Sequence, residues 1–264
     1  MIINLSKRKV IVTASTSGIG LAIVAGMLRA GAAVVINGRN AENTHRVAEQ
    51  LCSQITGADV MSVVADLATS AGVNSFIEQV PQADILVNNL GIYEEKTFTA
   101  ITDQDWQRYF ETNVMSGIRL SRHYFPQMLQ QNRGRVIFVS SESAITIPPT
   151  RIHYAMTNTA QLALARGLAE LTAGTKVTVN SIIVGPTMTE QVETMIAKQA
   201  RERGISAAEF EREIIDNVRP TSLLKRLATS DEVANLVVYT ASDQASATNG
   251  AALRVEGGGI RSIL

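Results

Sequence analysis

The chain has a single cysteine, Cys52, among 264 residues. No intramolecular disulfide can form, so the fold must rest on packing, and a reducing, cytoplasmic setting is expected. Neither charge sign is in excess: 24 basic side chains face 24 acidic ones, and the sequence pI is about 6.9. A balanced chain carries no global field for nucleic acid or an anionic membrane. Tryptophan is also single, Trp106, and aromatics make up 5% of the residues. Without a basic patch interleaved with aromatics, nucleic-acid binding has no support. No run of about 18 apolar residues exists to span a bilayer, and the start of the sequence lacks a signal-peptide core. Repeats, low-complexity tracts and Pro/Ser-rich linkers are missing too. His45, His123 and His153 stand at no metal-ligand spacing, so no metal is expected.

What remains is an ordinary globular composition, 45% apolar and 18% charged. The whole chain, 1–264, reads as one domain. Short β-branched runs alternate with longer helical segments. The predicted strands are Val10–Thr13, Ala33–Ile36, Val60–Val64, Asp84–Val87, Arg135–Val139, Val177–Ile183 and Ala252–Val255. Several are almost continuously apolar, as expected for strands covered on both faces. Between them lie helical segments at Leu21–Arg29, Ala41–Gln54, Asp103–Gln131 and Ile152–Leu171. In the last, Met156, Ala160, Leu164, Leu168 and Leu171 recur at spacings of three and four. The pattern predicts an α/β fold: a doubly wound, Rossmann-type, mostly parallel sheet of seven strands with helices on both faces. Ligands on such folds bind beyond the carboxyl ends of the strands.

After the first strand comes Thr13-Ala-Ser-Thr-Ser-Gly-Ile-Gly20. A phosphate pair needs backbone without obstructing side chains and helix N–H groups aimed at it. Gly18 and Gly20 meet the first need, and the helix beginning near Ile19 meets the second. An ordinary Ser/Thr-capped turn is the plainer reading. The second strand ends in Asn37-Gly-Arg39-Asn40, with no carboxylate before Glu42. An acidic residue there would accept from the ribose 2′-hydroxyl of NAD, whereas an Arg accommodates the 2′-phosphate of NADP. Arg39 therefore favours NADP(H) over NAD(H), unless it is only a solvated surface charge. Asp66, after the third strand, is placed to accept from an adenine amino group or to cap the next helix. Asn88-Asn-Leu-Gly91 follows the fourth strand and suits a tight passage beside a cofactor, or simply a turn. Ser140-Ser141 closes the fifth strand, and Tyr154 stands 13 residues beyond Ser141 at a helix start. A phenol can give or take a carbonyl oxygen's proton while a serine hydroxyl holds that oxygen in line. Each residue alone reads as a cap or as packing.

Together these segments resemble the short-chain dehydrogenase/reductase family over nearly the whole chain. The Gly-rich turn is similar to its TGxxxGxG, Asn88–Gly91 to its NNAG, and Asn113 in Glu-Thr-Asn-Val to its tetrad asparagine. Ser141 and Tyr154 match its active pair, and Gly185-Pro-Thr-Met-Thr189 its cofactor-contacting turn. The resemblance implies hydride transfer between a nicotinamide cofactor and a small carbonyl or alcohol. It makes Tyr154 the general acid/base, Ser141 the holder of the substrate oxygen, and Asn113 the anchor of a water relay. Thr13, Ser15, Ser17, Gly18, Ile19, Gly20, Arg39, Asp66, Asn88, Gly91, Thr187 and Thr189 would meet the cofactor. Homotetramers or homodimers are usual, and a substrate lid is implied at about 187–219. In it Met188, Val192, Met195, Ile196, Phe210 and Ile214 would face the ligand, or pack as an amphipathic pair.

Three positions depart from the family pattern. Ala14 replaces a glycine, which is harmless if its φ is negative. Leu90 replaces the alanine of NNAG. Asn158 stands where YxxxK has lysine, and positions i and i+4 share a helix face, so the phenol loses a neighbouring ammonium. Lys96 and Lys176 are the nearest lysines in sequence. Two readings follow: an NADP(H)-dependent oxidoreductase working with Asn158, or a catalytically impaired nucleotide-binding sensor or inactive subunit. Tyr93, Glu142 and Ile145 follow the cofactor-side motifs and are expected to line the pocket, while Gly257–Gly259 reads as a flexible turn or a disordered tail.

Overall fold

The computed structural model describes residues 2–263. The chain runs β1 (Lys9–Val12), α1 (Gly18–Arg29), β2 (Ala33–Gly38), α2 (Ala41–Gln54), β3 (Asp59–Val64), α3 (Ser70–Gln79) and β4 (Ile85–Asn88). It continues through α4 (Asp103–Phe110), α5 (Ser116–Gln130), β5 (Gly134–Ser141), α6 (Ile152–Glu170), β6 (Val177–Val184) and the short β7 (Thr187–Met188). Then come α7 (Glu190–Arg203), α8 (Ala207–Val218), β8 (Ala228–Thr229), α9 (Ser230–Ala241) and β9 (Ala252–Val255). Seven strands form one parallel sheet in the order β3-β2-β1-β4-β5-β6-β9, the doubly wound arrangement the alternating pattern predicts.

Why the strands read as continuous apolar runs is visible in β1. Val10 and Val12 join the core under α1, α2 and α9, with Ile23, Met27, Val47, Leu51 and Val237. Ile11 turns to the opposite face, where Phe76, Leu120, Tyr124, Phe138 and Ala165 from α3, α5, β5 and α6 cover it. Side chains alternate across a strand, so a sheet roofed on both sides needs an apolar residue at every step. Each such buried Val or Ile contributes about 1.5–3 kcal/mol.

The strand order reverses between β1 and β4, opening a crevice beyond their carboxyl ends. One long segment differs from its sequence reading. Residues 103–130 are helical throughout, but a π-turn over Glu111–Met115, where Ser116 N–H donates to Glu111 O, interrupts the ladder and divides it into α4 and α5. Such wide turns insert a residue into the helical ladder and re-aim a side chain; here that residue set includes Asn113. Among the described residues no helix is long and apolar enough to cross a membrane.

Candidate active site

The turn between β1 and α1 is braced from two neighbouring strands. Ser15 N–H donates to Asn37 O at 2.9 Å, Asn37 N–H donates back to Ser15 Oγ at 3.0 Å, and Ser15 Oγ–H reaches Val12 O at 2.7 Å. From the other side Asn89 Nδ2 donates to Thr13 O and Ala14 O, while the N–H groups of Asn89 and Leu90 both reach Thr13 Oγ1. The hydroxyls of Thr13 and Ser15 are thus buried and spent on shaping the turn. Ser17 precedes α1 but its side chain makes no capping hydrogen bond, and the first turn holds no acidic residue. The leading N–H groups of α1 keep their dipole and their unmet donors, which fits an anion there. Gly18 has φ +55, and a Cβ on it would lie 3.4 Å from Thr189 Cγ2; a Cβ on Gly20 would run into Ala14 O and Asn89 Nδ2 at 2.6 Å. The residues present therefore fit a pyrophosphate, with Thr189 roofing the turn.

Ala14 corrects a sequence expectation. Its φ is +49, in the left-handed region, so replacing glycine with alanine is not harmless here. The neighbouring hydrogen bonds force it, and the methyl costs about 1–2 kcal/mol.

Beyond β2, Arg39 is exposed and meets no carboxylate among the described residues, and Glu42 is exposed as well. Gly38 lets this edge close on Thr16 and Thr44, where a Cβ would stand 2.7 and 2.3 Å from their side chains. Asp66 is exposed, and its Oδ1 accepts from Ala68 N–H at 3.2 Å. Asn88 is buried, with Nδ2 3.5 Å from Ser121 Oγ and Oδ1 unpartnered. Gly91 faces Asn113, whose Oδ1 would lie 3.8 Å from a Cβ there. Thr187 Oγ1 donates to Gly185 O, and Thr189 Oγ1 caps α7 by accepting from Val192 N–H.

Ser141 and Tyr154 meet at the carboxyl end of the sheet. Ser141 is the last residue of β5, and its Oγ accepts from Ser143 N–H at 3.1 Å. With that lone pair engaged, the hydroxyl is left to bond the Tyr154 phenol in the first turn of α6. Burial pushes the phenol's pKa up, while hydrogen bonds from Ser141 and Asn158 and the charge of Arg151 draw it down. Asn158, one turn on, is folded inward: Nδ2 donates to Tyr154 O at 3.0 Å, and Oδ1 lies 3.3 Å from Ser140 Oγ. No lysine takes the missing place. Lys96 is paired with Asp105 at 2.5 Å, and Lys176 lies before β6, at the amino ends of the strands. The cation acting on the phenol is Arg151, which pairs with Glu95 and lies 5.8 Å from the Tyr93 ring centroid. Tyr93 itself is 6.1 Å from Tyr154, ring to ring.

Asn113 reaches this cluster through the π-turn. Its Oδ1 accepts from Ile92 N–H at 2.8 Å, and Nδ2 donates to Ile92 O and Thr157 Oγ1; Thr157 in turn donates to Tyr154 O. The Asn113 carbonyl accepts from Gln161 Nε2. Asn113 therefore clamps the loop after β4 to α6. Thr157 and Gln161 escaped the sequence reading, although with Tyr154 and Asn158 they complete the i, i+3, i+4, i+7 stripe of one helix face.

Other expectations resolve differently. His153, next to Tyr154, is fully buried, 4.1 Å from Tyr109 and 6.0 Å from Trp106 between ring centroids, with Glu94 3.7 Å away. Of the apolar residues between β6 and α9, Ile196 and Phe210 lie in a small core of α7 and α8, and Met188, Val192 and Ile214 pack on it. Of the six residues expected to face a ligand or to pack as a pair, these five pack on one another and Met195 is exposed. Gly257–Gly259 is neither loose nor a tail, since Glu256 Oε2 accepts from the N–H groups of Gly259 and Ile260.

Fold and site define a nucleotide-binding α/β protein with a serine and a tyrosine brought together beyond its sheet. The short chain dehydrogenase family model matches residues 8–200, and the chain belongs to that family. It is an oxidoreductase of the family's NAD(P)-using type. It is 47% identical over 266 residues to the uncharacterized oxidoreductase YvrD of Bacillus subtilis (strain 168), covering 100% of both chains. The crystal structure of L-sorbose reductase from Gluconobacter frateurii complexed with NADPH and L-sorbose superposes with a TM-score of 0.93, 30% identity and 100% of both chains covered. An NADPH-bound short chain oxidoreductase from Pseudomonas aeruginosa PAO1 containing an atypical catalytic center gives a TM-score of 0.89 at 28% identity, covering 98% of this chain and 99% of that one.

Proposed function

We propose that this protein is an NADP(H)-dependent oxidoreductase that moves a hydride between the nicotinamide and a small carbonyl or alcohol. The Ser141–Tyr154 pair carries the reading, because Ser143 N–H orients the Ser141 hydroxyl toward the phenol. When bound, the nicotinamide supplies or accepts the hydride. Tyr154 Oη gives its proton to the nascent alkoxide in reduction and receives one in oxidation, and Ser141 Oγ holds the substrate oxygen against it. Gly18, Ile19, Gly20 and Ser17 at the head of α1 receive the pyrophosphate. Thr13 and Ser15 support that turn from beneath. Arg39 takes the 2′-phosphate, Asp66 the adenine, and Asn88, Gly91, Thr187 and Thr189 border the nicotinamide side. Asn113 orients α6, and Asn158 holds the Tyr154 carbonyl one turn back without supplying charge to the phenol. Helices α7 and α8 act as the lid over a single domain. The exposed Phe110 and Met156 on α4 and α6 support a homotetramer or homodimer, and the exposed free Cys52 suits a cytoplasmic location.

Asn158 favours a second reading, a nucleotide-binding protein with little turnover. An ammonium about 4 Å from the phenolate is worth about 4 kcal/mol at an effective dielectric of 20, and no other group replaces it in full. Single-turnover hydride transfer from NADPH, before and after Asn158→Lys, separates the two. The oxidoreductase reading expects a detectable rate that rises with lysine; no turnover of a broad carbonyl panel by either form favours the second.

A further inference from the structure

Glu142 follows Ser141 directly, yet its side chain is only 8% exposed. Its Oε1 accepts from Arg219 Nε, which reaches in from the end of α8. Among the described residues no protein donor meets Oε2. That oxygen lies 3.5 Å from where a Cβ on Gly259 would be, and Glu256 Oε2 lies 3.4 Å from the same point. Glu256 has no acceptor to spare: it takes Arg254 Nε and Nη2 at 3.0 and 2.9 Å, with Gly259 and Ile260 N–H on its other oxygen. A methyl-sized niche thus lies over Gly259 between two carboxylates, and of the two it is Glu142 that has an oxygen without a protein donor among the described residues.

An ionised carboxylate has about four acceptor sites, and burying it with one partner is costly unless something else donates. We propose that Glu142 Oε2 reads a hydroxyl of the substrate, making it a specificity-determining residue and the substrate class a polyhydroxylated ketone or the matching polyol. This rests on the oxidoreductase reading above. Other chemistries fit the niche less well. An anionic substrate would meet two carboxylates, and a purely apolar one would leave Oε2 unpaired. Arg219 and Arg254 neutralise Glu142 and Glu256, so there is no net charge to draw an ammonium. Ser141 has extended backbone, φ −130 and ψ 153, so its side chain and that of Glu142 diverge, one toward Tyr154 and the other toward Arg219 and the C-terminal turn. A ligand touching both must reach across the end of β5, with its second hydroxyl some carbons from the reacting one.

The test is equilibrium binding to the NADPH-saturated protein, so it needs no turnover. The probes are a ketohexose and 2-hexanone, the same carbon chain without hydroxyls. The variants are Gly259→Ala and Glu142→Gln. A methyl at Gly259 makes ordinary contacts of 3.4–3.7 Å, so it fills the niche without disturbing the fold or the Glu142–Arg219 pair. Wild type should bind the ketohexose at least tenfold more tightly than 2-hexanone. Each variant should lose about tenfold for the ketohexose, with 2-hexanone and NADPH affinities unchanged. Equal binding of the two probes by wild type, or equal losses for both in the variants, overturns the assignment while the oxidoreductase reading stands. Failure of wild type to bind NADPH overturns both.

Discussion

Ser140 Oγ stands 3.3 Å from Asn158 Oδ1 and 3.2 Å from the Asn158 carbonyl. The serine next to Ser141 thus ties down the residue one turn after Tyr154. The amide is held inside the helix, directed at Tyr154 and Ser140 and away from solvent. It cannot carry a proton onward, because an amide has no titratable site near neutral pH.

That arrangement makes the pH dependence informative. Burial keeps the phenol protonated above its ordinary range, so carbonyl reduction, which needs the neutral phenol, should stay level through neutral pH. Alcohol oxidation needs the phenolate and should climb steadily into the alkaline range. In Asn158→Lys the ammonium favours the phenolate, so the alkaline limb of oxidation should move to lower pH and single-turnover rates should rise by about 10- to 1000-fold. Stopped-flow rates across about pH 6–10 measure it; an unmoved limb would show that the charge at this position does not reach the phenol.

Arg39 should decide cofactor preference. Arg39→Ala removes the exposed guanidinium just beyond β2, which meets no carboxylate among the described residues and could fork onto a 2′-phosphate, so the NADPH dissociation constant should rise about tenfold or more while that of NADH hardly changes. Fluorescence titration with both nucleotides checks this, and equal losses for the two would assign Arg39 to the surface alone.

Relaxing the strain at Ala14 should stabilise the protein. In Ala14→Gly the φ of +49 becomes an ordinary glycine conformation. The gain of about 1–2 kcal/mol, less glycine's entropy of about 0.5–1 kcal/mol, should raise Tm by about 1–4 °C. A fall in Tm on thermal melting would mean that the turn bears no such strain.

Gln161 should prove a positioning residue. Gln161→Leu leaves the buried Asn113 carbonyl without its donor, costing about 1–3 kcal/mol of stability. Because Asn113 links through Thr157 to Tyr154, the rate of hydride transfer should fall while NADPH affinity holds. Gln161→Glu, whose protonated form can still donate, should recover activity as pH is lowered, a response that a packing defect alone would not give.

Much of this molecule is legible in the order of its residues. The strand at Val177–Val184 carries Val or Ile at five of its eight positions and is buried at all of them because helices cover both its faces, and such a run between helical stretches leaves few options but a parallel sheet. Ser141 and Tyr154 could be paired because a strand end and the following helix start lie close in any such unit. The absence of lysine at 158 is a plain fact of the sequence, and so is the lack of a carboxylate before Glu42.

Tertiary structure alone decided the rest, since it turned on contacts between residues distant in the chain. The sign of φ at Ala14 came from Asn37 and Asn89, which brace the turn from neighbouring strands. Whether Ile196 and Phe210 met a ligand or each other depended on how α7 folds against α8. Glu142 found Arg219 77 positions later and Gly259 later still, and no local spacing encodes such a meeting. Local pattern fixes which faces must be covered; only the closed fold determines which polar atoms are left without a partner.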